Sequence, residues 1–317
     1  MKKILITRKL IKSSEEYAQK VFNTKFNEQD KLLTNDEIIK KSSDCDGILS
    51  SITDKFDANL ILKLSKKIKI ISNFAVGYGN IDIVAASKKN IVVTNTPDVL
   101  TDATAEIAIL VLLGAARRAK EGMEWAKKKN WMWSSDFLIG KQLTGSRLGI
   151  LGMGRIGRAV ADRARAFGMK IHYHNRSRLD KDLEKDSIYH KSLESLLSVS
   201  DFFSINCPAT KETKHILNSK TIKFFPDGAV VSNSARGDMI DDDAMVNALK
   251  SGKIFSLGID VYNGEPNIHP AYLNLPNVFV LPHLGSSTMK TRTAMANLAI
   301  QNMVEFFKTG KSKNKVN

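Results

Sequence analysis

Residues 147–167 contain the feature that most restricts how this chain can fold. An apolar run, Arg147–Leu151, leads directly into glycines at positions 152, 154 and 157, in the spacing G-x-G-x-x-G. A helical pattern follows, and its apolar residues share one face: Ile156, Val160, Ala164 and Phe167. A strand, a glycine-rich turn and a helix in this order are typical of the first βαβ unit of a parallel α/β sheet.

Each of the three glycines has a chemical reason in such a turn. Gly152 allows the tight turn, Gly154 lets the backbone approach a pyrophosphate, and Gly157 lets the helix pack against the strand. The N-terminus of the helix then faces the phosphates. We therefore predict a dinucleotide-binding site at this turn, and a glycine turn without a ligand is the alternative.

The end of the next predicted strand bears on which dinucleotide is bound. It reads Asn175-Arg176-Ser177-Arg178, and no acidic residue follows until Asp180. A site for NAD usually has an Asp or Glu about 20 residues further on, which holds the ribose 2′-hydroxyl. Guanidinium groups instead suit a 2′-phosphate, because they bind phosphate through paired hydrogen bonds. We therefore predict that NADP(H) is preferred and NAD(H) possible; the alternative is that both arginines face solvent.

Short apolar runs alternate with helical patterns along most of the chain, which predicts parallel sheets covered by helices on both faces. Before residue 100 the strand candidates are Lys3–Thr7, Gly47–Ser50, Ile68–Asn73 and Ile91–Thr94. After it they are Arg147–Leu151, Lys170–Asn175, Phe202–Cys207, Ala229–Ser234, Ser256–Tyr262 and Val278–Leu281. The length of 317 residues exceeds what one hydrophobic core usually organises, so we expect two domains.

Two helical segments set the predicted domain boundaries. Thr101–Lys128 reads as one long helix that joins the domains, and Met289–Lys308 reads as a helix that returns to the first domain. Residues 1–99 plus 286–317 then form a substrate (catalytic) domain, and residues 100–285 form the dinucleotide-binding domain. We expect an α/β chain with two Rossmann-like or flavodoxin-like domains, parallel sheets and an active-site cleft between the domains.

The composition excludes several classes of protein. The net charge is +15, but no basic run is interleaved with aromatic residues, so we expect a lysine-rich surface rather than nucleic-acid binding. The longest apolar stretch, Ile107–Ala116, is too short for a membrane span. Met1–Thr7 reads as a strand rather than a signal segment, and we expect a cytoplasmic protein. Cys45 and Cys207 are expected to be buried free thiols rather than a disulfide or a metal pair, and no metal is expected.

Three polar segments follow three of the later strands, where ligands bind in open α/β sheets. They contain Arg236, Glu265 and His283. Reducing a 2-keto acid requires a cation that holds the carboxylate, an acid that protonates the forming alkoxide and a group that keeps this acid charged. Arg236, His283 and Glu265 fit these roles in that order. The alternatives are a surface ion pair for Arg236 and a turn residue for Glu265, and we expect the other histidines to be structural.

Taken together, the motifs resemble those of the D-isomer-specific 2-hydroxyacid dehydrogenase family over nearly the whole chain. The branch they resemble most is that of the glyoxylate/hydroxypyruvate reductases, which share the Asn-Arg-Ser type of ending on the second strand of the dinucleotide-binding domain. The matching segments are Asn73–Asp82, Ala103–Glu106, Gly152–Gly157, Asn206–Pro208 and the segments around Arg236, Glu265 and His283.

The resemblance implies roles for further residues. The amides of Val76 and Gly77 would bind the substrate carboxylate together with Arg236 and His283, and Thr104 and Asp260 would lie near the nicotinamide. The other residues that we expect to contact the cofactor, beside Gly152, Gly154, Gly157 and Asn175–Arg178, are Arg155, Ile156, Cys207, Pro208, Thr213, Ser234, Ala235 and Gly285.

The resemblance also implies a homodimer in which an aromatic residue, Trp133 or Phe137, reaches the active site of the partner; packing within one subunit is the alternative. Other readings remain open: a dehydrogenase of bulkier 2-keto acids or of 3-phosphoglycerate, and a dinucleotide-sensing binding protein. A formate dehydrogenase is disfavoured, because Glu265 stands where that enzyme has Gln. The preferred function is NAD(P)H-dependent reduction of a small 2-keto acid of the glyoxylate or hydroxypyruvate type to the D-2-hydroxy acid.

Overall fold

The computed structural model describes residues 1–317, and the chain divides into two compact units. The first unit consists of Met1–Leu100 and Ser286–Asn317, and the second of Thr101–Gly285. None of the helices combines the length and the apolar character that crossing a bilayer requires.

The first unit is built on a five-stranded parallel sheet in the order β2-β1-β3-β4-β5. Its strands are β1 (Lys3–Ile6), β2 (Asn23–Phe26), β3 (Gly47–Ser51), β4 (Ile70–Phe74) and β5 (Val92–Thr94). The helices between them are α1 (Lys12–Val21), α2 (Asn35–Ser42), α3 (Ala58–Lys63) and α4 (Ile83–Lys88). Neighbouring residues on a strand face opposite sides, so Ile48 packs into one apolar cluster and Leu49 into the other.

The second unit holds a seven-stranded parallel sheet in the order β12-β11-β10-β9-β6-β7-β8. Its helices are α5 (Thr101–Ala116), α6 (Ala119–Lys128), α7 (Arg155–Ala166), α8 (Lys181–Glu184), α9 (Leu193–Leu197), α10 (Asp242–Ser251) and α11 (Pro270–Asn274). Its strands are β6 (Arg147–Leu151), β7 (Lys170–His174), β8 (Ile188–Tyr189), β9 (Phe202–Ile205), β10 (Ala229–Asn233), β11 (Ile254–Ile259) and β12 (Val278–Val280). The predicted α/β class, with two parallel sheets, is confirmed.

The strand order of the second unit creates a crevice at a defined place. From β6 the chain moves outward to β7 and β8, and then returns to the other side of β6 at β9. In doubly wound sheets, ligands bind beyond the carboxyl ends of the strands at this switch point. The glycine turn after β6 therefore stands at the position where the fold opens a ligand crevice.

The predicted single helix Thr101–Lys128 is wrong, because the chain breaks between α5 and α6. Arg118 has φ of +53° and lies in the left-handed region, where its guanidinium pairs with Glu121. Helix α5 is buried against the sheet so closely that an added Cβ on Gly258 would lie 2.0 Å from the carbonyl oxygen of Val111. Helix α6 has no buried residue. The break lets one segment follow the sheet while the other lies at the surface.

The last helix, α12 (Met289–Thr309), belongs to the first unit. It buries Ala296, Ala299, Ile300 and Met303 in an apolar cluster with Ile4 and Ile6 of β1. Thr288 caps its N-terminus by accepting the amide of Thr291. The helix thus covers one face of the first sheet.

Candidate active site and dinucleotide-binding loop

The glycine turn after β6 has the packing that a dinucleotide requires. Gly152 has φ of +93°, and an added Cβ would lie 2.5 Å from the amide nitrogen of Cys207. An added Cβ on Gly157 would lie 2.2 Å from the carbonyl oxygen of Gly152. At Gly154, in contrast, an added Cβ would meet no protein atom within 4 Å. Two glycines therefore serve internal packing, and the middle one borders open space.

The N-terminus of α7 faces the same open space. Gly154 is the N-cap residue, and no side chain caps this end of the helix. The first amides of a helix lack intrahelical partners, and together with the helix dipole they favour an anionic group. The open side of Gly154 and the uncapped helix end fit a pyrophosphate.

The residues after β7 that were predicted to bind the cofactor differ in their contacts with the protein. The side-chain oxygen Oδ1 of Asn175 accepts the amide of Met153 at 2.7 Å, which ties this segment to the glycine turn. Arg176 and Ser177 are exposed. Arg178 forms a paired hydrogen bond with Glu184, with Nε 3.0 Å from Oε1 and Nη2 2.8 Å from Oε2. The sequence did not reveal this partner of Arg178.

Other residues that were predicted to contact the cofactor lie around the turn. Half-buried Cys207 packs against Gly152, with its Sγ 3.8 Å from Sδ of Met239, and burial raises the pKa of its thiol to about 11. The hydroxyl of Thr213 donates to the carbonyl of Pro208 at 2.9 Å. Ile156 packs on the apolar core of the unit. Cys45, in the first unit, is fully buried.

Three adjacent strands present the predicted catalytic residues at their carboxyl ends. Arg236 follows β10, Glu265 follows β11 and His283 follows β12, and these strands are neighbours in the sheet. Asn233, the last residue of β10, shapes the first of these segments. Its side chain donates to the carbonyl of Arg236 at 2.7 Å and accepts the amide of Ala235 at 2.9 Å. The segment that carries Ser234, Ala235 and Arg236 is therefore held by a buried asparagine that the sequence did not single out.

His283 and Glu265 are in direct contact. Nδ1 of His283 lies 2.7 Å from Oε2 of Glu265, and both side chains are about one-third exposed, at 35% and 34%. The other carboxylate oxygen of Glu265 accepts the amide of Tyr262 at 2.9 Å. Burial favours a higher pKa for Glu265, but the hydrogen bond and charge of His283, the Tyr262 amide and the charge of Arg236 outweigh it and lower the pKa. The carboxylate is therefore ionised beside the imidazole, which has Nε2 left for other contacts.

Arg236 is a half-buried cation at the same sheet edge. Burial lowers the pKa of its guanidinium, and the charges of Glu265 and Asp238 oppose this effect. Its Nη1 donates to the carbonyl of Ala235 at 2.6 Å. A guanidinium has five N–H donors, so this bond leaves several for an anionic ligand. A cation, an anion and an imidazole thus lie at the same sheet edge, in Arg236, Glu265 and His283.

The turn at His283 has an unusual backbone that Asp260 holds in place. His283 has φ of +56°, a conformation that residues other than glycine rarely adopt. The two carboxylate oxygens of fully buried Asp260 accept the amides of Leu284 at 2.7 Å and Gly285 at 2.9 Å. Thr104 donates its hydroxyl to the carbonyl of Gly285 at 3.1 Å. Asp260 and Thr104, which were predicted from resemblance to lie near a nicotinamide, hold the turn that carries His283.

In the first unit, the segment after β4 presents two free amides. The carbonyl of Ala75 accepts the amide of Thr96 at 2.9 Å, and that of Val76 accepts the side-chain amide of Asn95 at 2.8 Å. A trans peptide points its C=O and N–H in opposite directions, so these bonds turn the N–H groups of Val76 and Gly77 away from their partners. Neither N–H donates a hydrogen bond to the protein. The pair can bind an anion such as a carboxylate.

Comparison with known proteins defines the class to which this fold and site belong. The sequence model of the D-isomer specific 2-hydroxyacid dehydrogenase, NAD binding domain, matches residues 109–285, more than half of the chain. The chain belongs to the D-isomer specific 2-hydroxyacid dehydrogenase family, which confirms the resemblance seen in its motifs. The protein is an oxidoreductase whose second unit binds a nicotinamide dinucleotide.

Individual relatives match over almost the full length. A glycerate dehydrogenase from Hyphomicrobium methylovorum is 41% identical over 301 residues, 94% of each chain. A glyoxylate reductase from Thermococcus litoralis is 39% identical over 311 residues, 96% of this chain and 94% of the relative. The solved structure of an NADPH-dependent glyoxylate/hydroxypyruvate reductase from Sinorhizobium meliloti, in complex with NADP and malonate, has a TM-score of 0.89 at 32% identity, covering 99% of this chain and 96% of that one.

Proposed function

We propose that this protein reduces a short 2-keto acid, hydroxypyruvate to D-glycerate or glyoxylate to glycolate, and that NADPH is its preferred reductant. The observation that carries this proposal is the 2.7 Å contact between His283 and Glu265, at the same sheet edge as Arg236. The relatives that are named glyoxylate reductase, glycerate dehydrogenase and glyoxylate/hydroxypyruvate reductase support the short substrate.

Each residue has a separate task in the proposed reaction. A reduced nicotinamide, when bound, supplies the hydride that adds to the carbonyl carbon of the keto acid. Arg236 holds the carboxylate of the substrate. His283 gives a proton from Nε2 to the carbonyl oxygen as that oxygen becomes an alkoxide. Glu265, hydrogen-bonded at Nδ1, fixes the orientation of the imidazole and places a carboxylate beside it.

The preference for NADPH rests on the segment after β7. No carboxylate stands at Asn175–Ser177 to accept the 2′-hydroxyl of NAD, and a carboxylate there would repel a 2′-phosphate. Arg176 offers an exposed cation and Ser177 an adjacent exposed hydroxyl. The relative from Sinorhizobium meliloti is named NADPH-dependent, which agrees with this assignment.

We also propose that the protein is a homodimer and that the region after α6 forms part of its interface. Trp131, Met132 and Trp133 are exposed by 51%, 83% and 81%, an apolar patch that is uncommon on a monomer. Phe137 instead stacks edge-on against Trp125 of the same chain, with ring centroids 5.6 Å apart. Trp133 is therefore the aromatic residue assigned to the partner subunit. Sedimentation velocity should give a dimer for the natural chain and a larger monomer fraction for Trp133→Ala; a monomeric natural chain would contradict the proposal.

The reaction is tested by identifying its product. The protein is incubated with hydroxypyruvate and NADPH, and the glycerate formed is separated on a chiral column. The proposal predicts D-glycerate with one NADPH consumed per molecule formed. Formation of L-glycerate, or consumption of NADPH without glycerate, would contradict it. The variant Arg236→Gln serves as a control, because it removes the carboxylate-binding cation and should suppress product formation.

A further inference from the structure

A buried carboxylate lies behind the segment that was assigned to the 2′-phosphate. Glu184, at the end of α8, is only 4% exposed, although Glu is rarely buried without a partner. Its carboxylate accepts two hydrogen bonds from the exposed guanidinium of Arg178, at 3.0 Å and 2.8 Å. It also accepts the hydroxyl of buried Tyr173 at 2.7 Å. The carboxylate is thus hydrogen-bonded both to the sheet, through Tyr173, and to the loop, through Arg178.

The same tyrosine also holds the loop backbone. The hydroxyl of Tyr173, on β7, accepts the amide of Leu179 at 3.1 Å while it donates to Glu184. Leu179 directly follows Arg178, so one hydroxyl fixes both the backbone and the acceptor of the arginine. The distal end of the loop is therefore anchored to the sheet through Tyr173 and Glu184.

The proximal end of the loop is anchored separately. Asn175 accepts the amide of Met153 through its side chain at 2.7 Å, and its carbonyl accepts the hydroxyl of Tyr189 at 3.3 Å. The ring of Tyr189 packs against Tyr173, with centroids 5.3 Å apart. Only Arg176 and Ser177 lie between the two anchored ends. These two residues form the tip of a loop that is held on both sides.

We propose that Glu184 and Arg178 are positioning residues for cofactor selection: they brace the loop so that Arg176 and Ser177 meet the 2′-phosphate, and Arg178 is not a phosphate ligand itself. The inference rests on the proposed preference for NADPH and deepens it. Its physical basis is that a phosphate ligand on a loop is effective only when the loop is held in the binding geometry before the ligand arrives.

If Glu184 acts through its charge, its removal should change NADP⁺ binding in one direction, and if it acts by holding the loop, in the other. This difference makes the inference testable. A carboxylate near a phosphate site repels the phosphate, so neutralising Glu184 should strengthen NADP⁺ binding if only charge mattered. Neutralisation would also release Arg178 to bind the phosphate directly. If Glu184 instead acts by bracing the loop, neutralising it should weaken NADP⁺ binding despite the gain in positive charge.

The experiment measures dissociation constants by isothermal titration calorimetry with NADP⁺, NAD⁺ and 2′,5′-ADP, independently of turnover. Glu184→Gln keeps the size of the side chain but replaces one acceptor oxygen with a donor. We expect NADP⁺ and 2′,5′-ADP to bind on the order of tenfold more weakly and NAD⁺ to change little. Arg178→Gln should have the same effect, because it breaks the same pair. The double variant should be no weaker than either single variant.

Asp182→Asn is the matched control, because it removes one negative charge from an exposed position on the same short helix. It should leave the binding of NADP⁺ unchanged or slightly tighter. Thermal melting of each variant monitors folding. If Glu184→Gln folds poorly, Arg178→Gln still tests the inference, because Arg178 is exposed.

Unchanged or tighter NADP⁺ binding by Glu184→Gln would overturn the inference, and so would equal weakening by Asp182→Asn. If Arg178→Gln weakened NADP⁺ while Glu184→Gln did not, Arg178 would be a direct phosphate ligand. A natural chain that binds NAD⁺ as tightly as NADP⁺ would overturn the preference for NADPH and the inference with it. A natural preference for NADP⁺ that is undiminished in Glu184→Gln would overturn the inference alone.

Discussion

Nδ1 of His283 lies 2.7 Å from Oε2 of Glu265, so this carboxylate oxygen is hydrogen-bonded to the imidazole. Burial favours a higher pKa for Glu265, but the hydrogen bond and charge of His283 help to outweigh it and lower the pKa. Glu265 therefore places a negative charge beside the imidazole to which we assign proton donation.

From this relationship we predict the effect of Glu265→Gln on the pH profile. The pKa of Glu265 is lowered, so the natural carboxylate keeps its charge until the pH falls below the ordinary range of a glutamate, and kcat should decline only there. Gln carries no charge at any pH, so the variant should have a lower kcat and should lack this acid decline. The measurement is kcat for glyoxylate reduction from about pH 3 to about pH 8 for both proteins, with NADP⁺ binding as the control for folding. An unchanged kcat, or the same acid decline in the variant, would contradict the role given to Glu265.

His283→Ala should abolish most turnover and leave dinucleotide binding intact. General acid catalysis by a side chain contributes about 10²–10⁴-fold to rate, and kcat should fall by an amount in that range. The dissociation constant for NADP⁺ should remain within about twofold, a difference too small to count as lost binding. A variant with kcat close to that of the natural chain would remove His283 from the role of proton donor.

Arg176→Ala should weaken NADPH much more than NADH. Loss of a charge-assisted hydrogen bond costs about 1.5–3 kcal/mol, which corresponds to a rise of about ten- to a hundredfold or more in the KM for NADPH. KM for NADH should change little, because NADH has no 2′-phosphate. Arg158→Ala, on the α7 helix, is a matched control for loss of an arginine. Equal increases for both cofactors would show that Arg176 does not select the phosphate.

Asp260→Asn should destabilise the protein and impair turnover together. The two carboxylate oxygens of Asp260 accept hydrogen bonds from the backbone N–H groups of Leu284 and Gly285. In Asn one of these oxygens is replaced by an NH₂ group, which is a donor, so one of the two backbone N–H groups loses its acceptor. An unsatisfied buried donor costs about 1–3 kcal/mol, so the free energy of unfolding in urea should fall by that amount. Asp243→Asn, whose side chain is 91% exposed, should change it by less than about 0.5 kcal/mol. Equal stability of the two variants would mean that Asp260 does not hold the His283 turn.

The sequence predicted the elements whose signal is local and periodic. The turn at Gly152–Gly157 was recognisable because strand, glycines and helix follow one another directly. Arg236, Glu265 and His283 could be grouped because each follows a strand, and parallel strands end at the same sheet edge. The order of the motifs therefore predicted which residues lie at the same sheet edge.

Other features depend on packing that no local pattern contains. The short strand β2 has one apolar residue, Phe26, so it forms no apolar run by which the sequence could have revealed it. The break at Arg118 has no Gly or Pro to mark it, and arises because α5 follows the sheet and α6 does not. Arg178 was assigned to a phosphate because no local pattern reveals its pairing with Glu184, which is buried at the end of a four-residue helix. In each case the outcome depended on packing and pairing in the folded chain.

The central claim is tested most directly by the loss of reduced-nicotinamide absorbance with glyoxylate and with hydroxypyruvate, using NADPH and NADH in parallel. We predict rapid loss with NADPH and slower loss with NADH, for at least one of the two keto acids. No loss with either cofactor would contradict the proposed substrates, and faster loss with NADH would contradict the assignment of Arg176 and Ser177 to a 2′-phosphate.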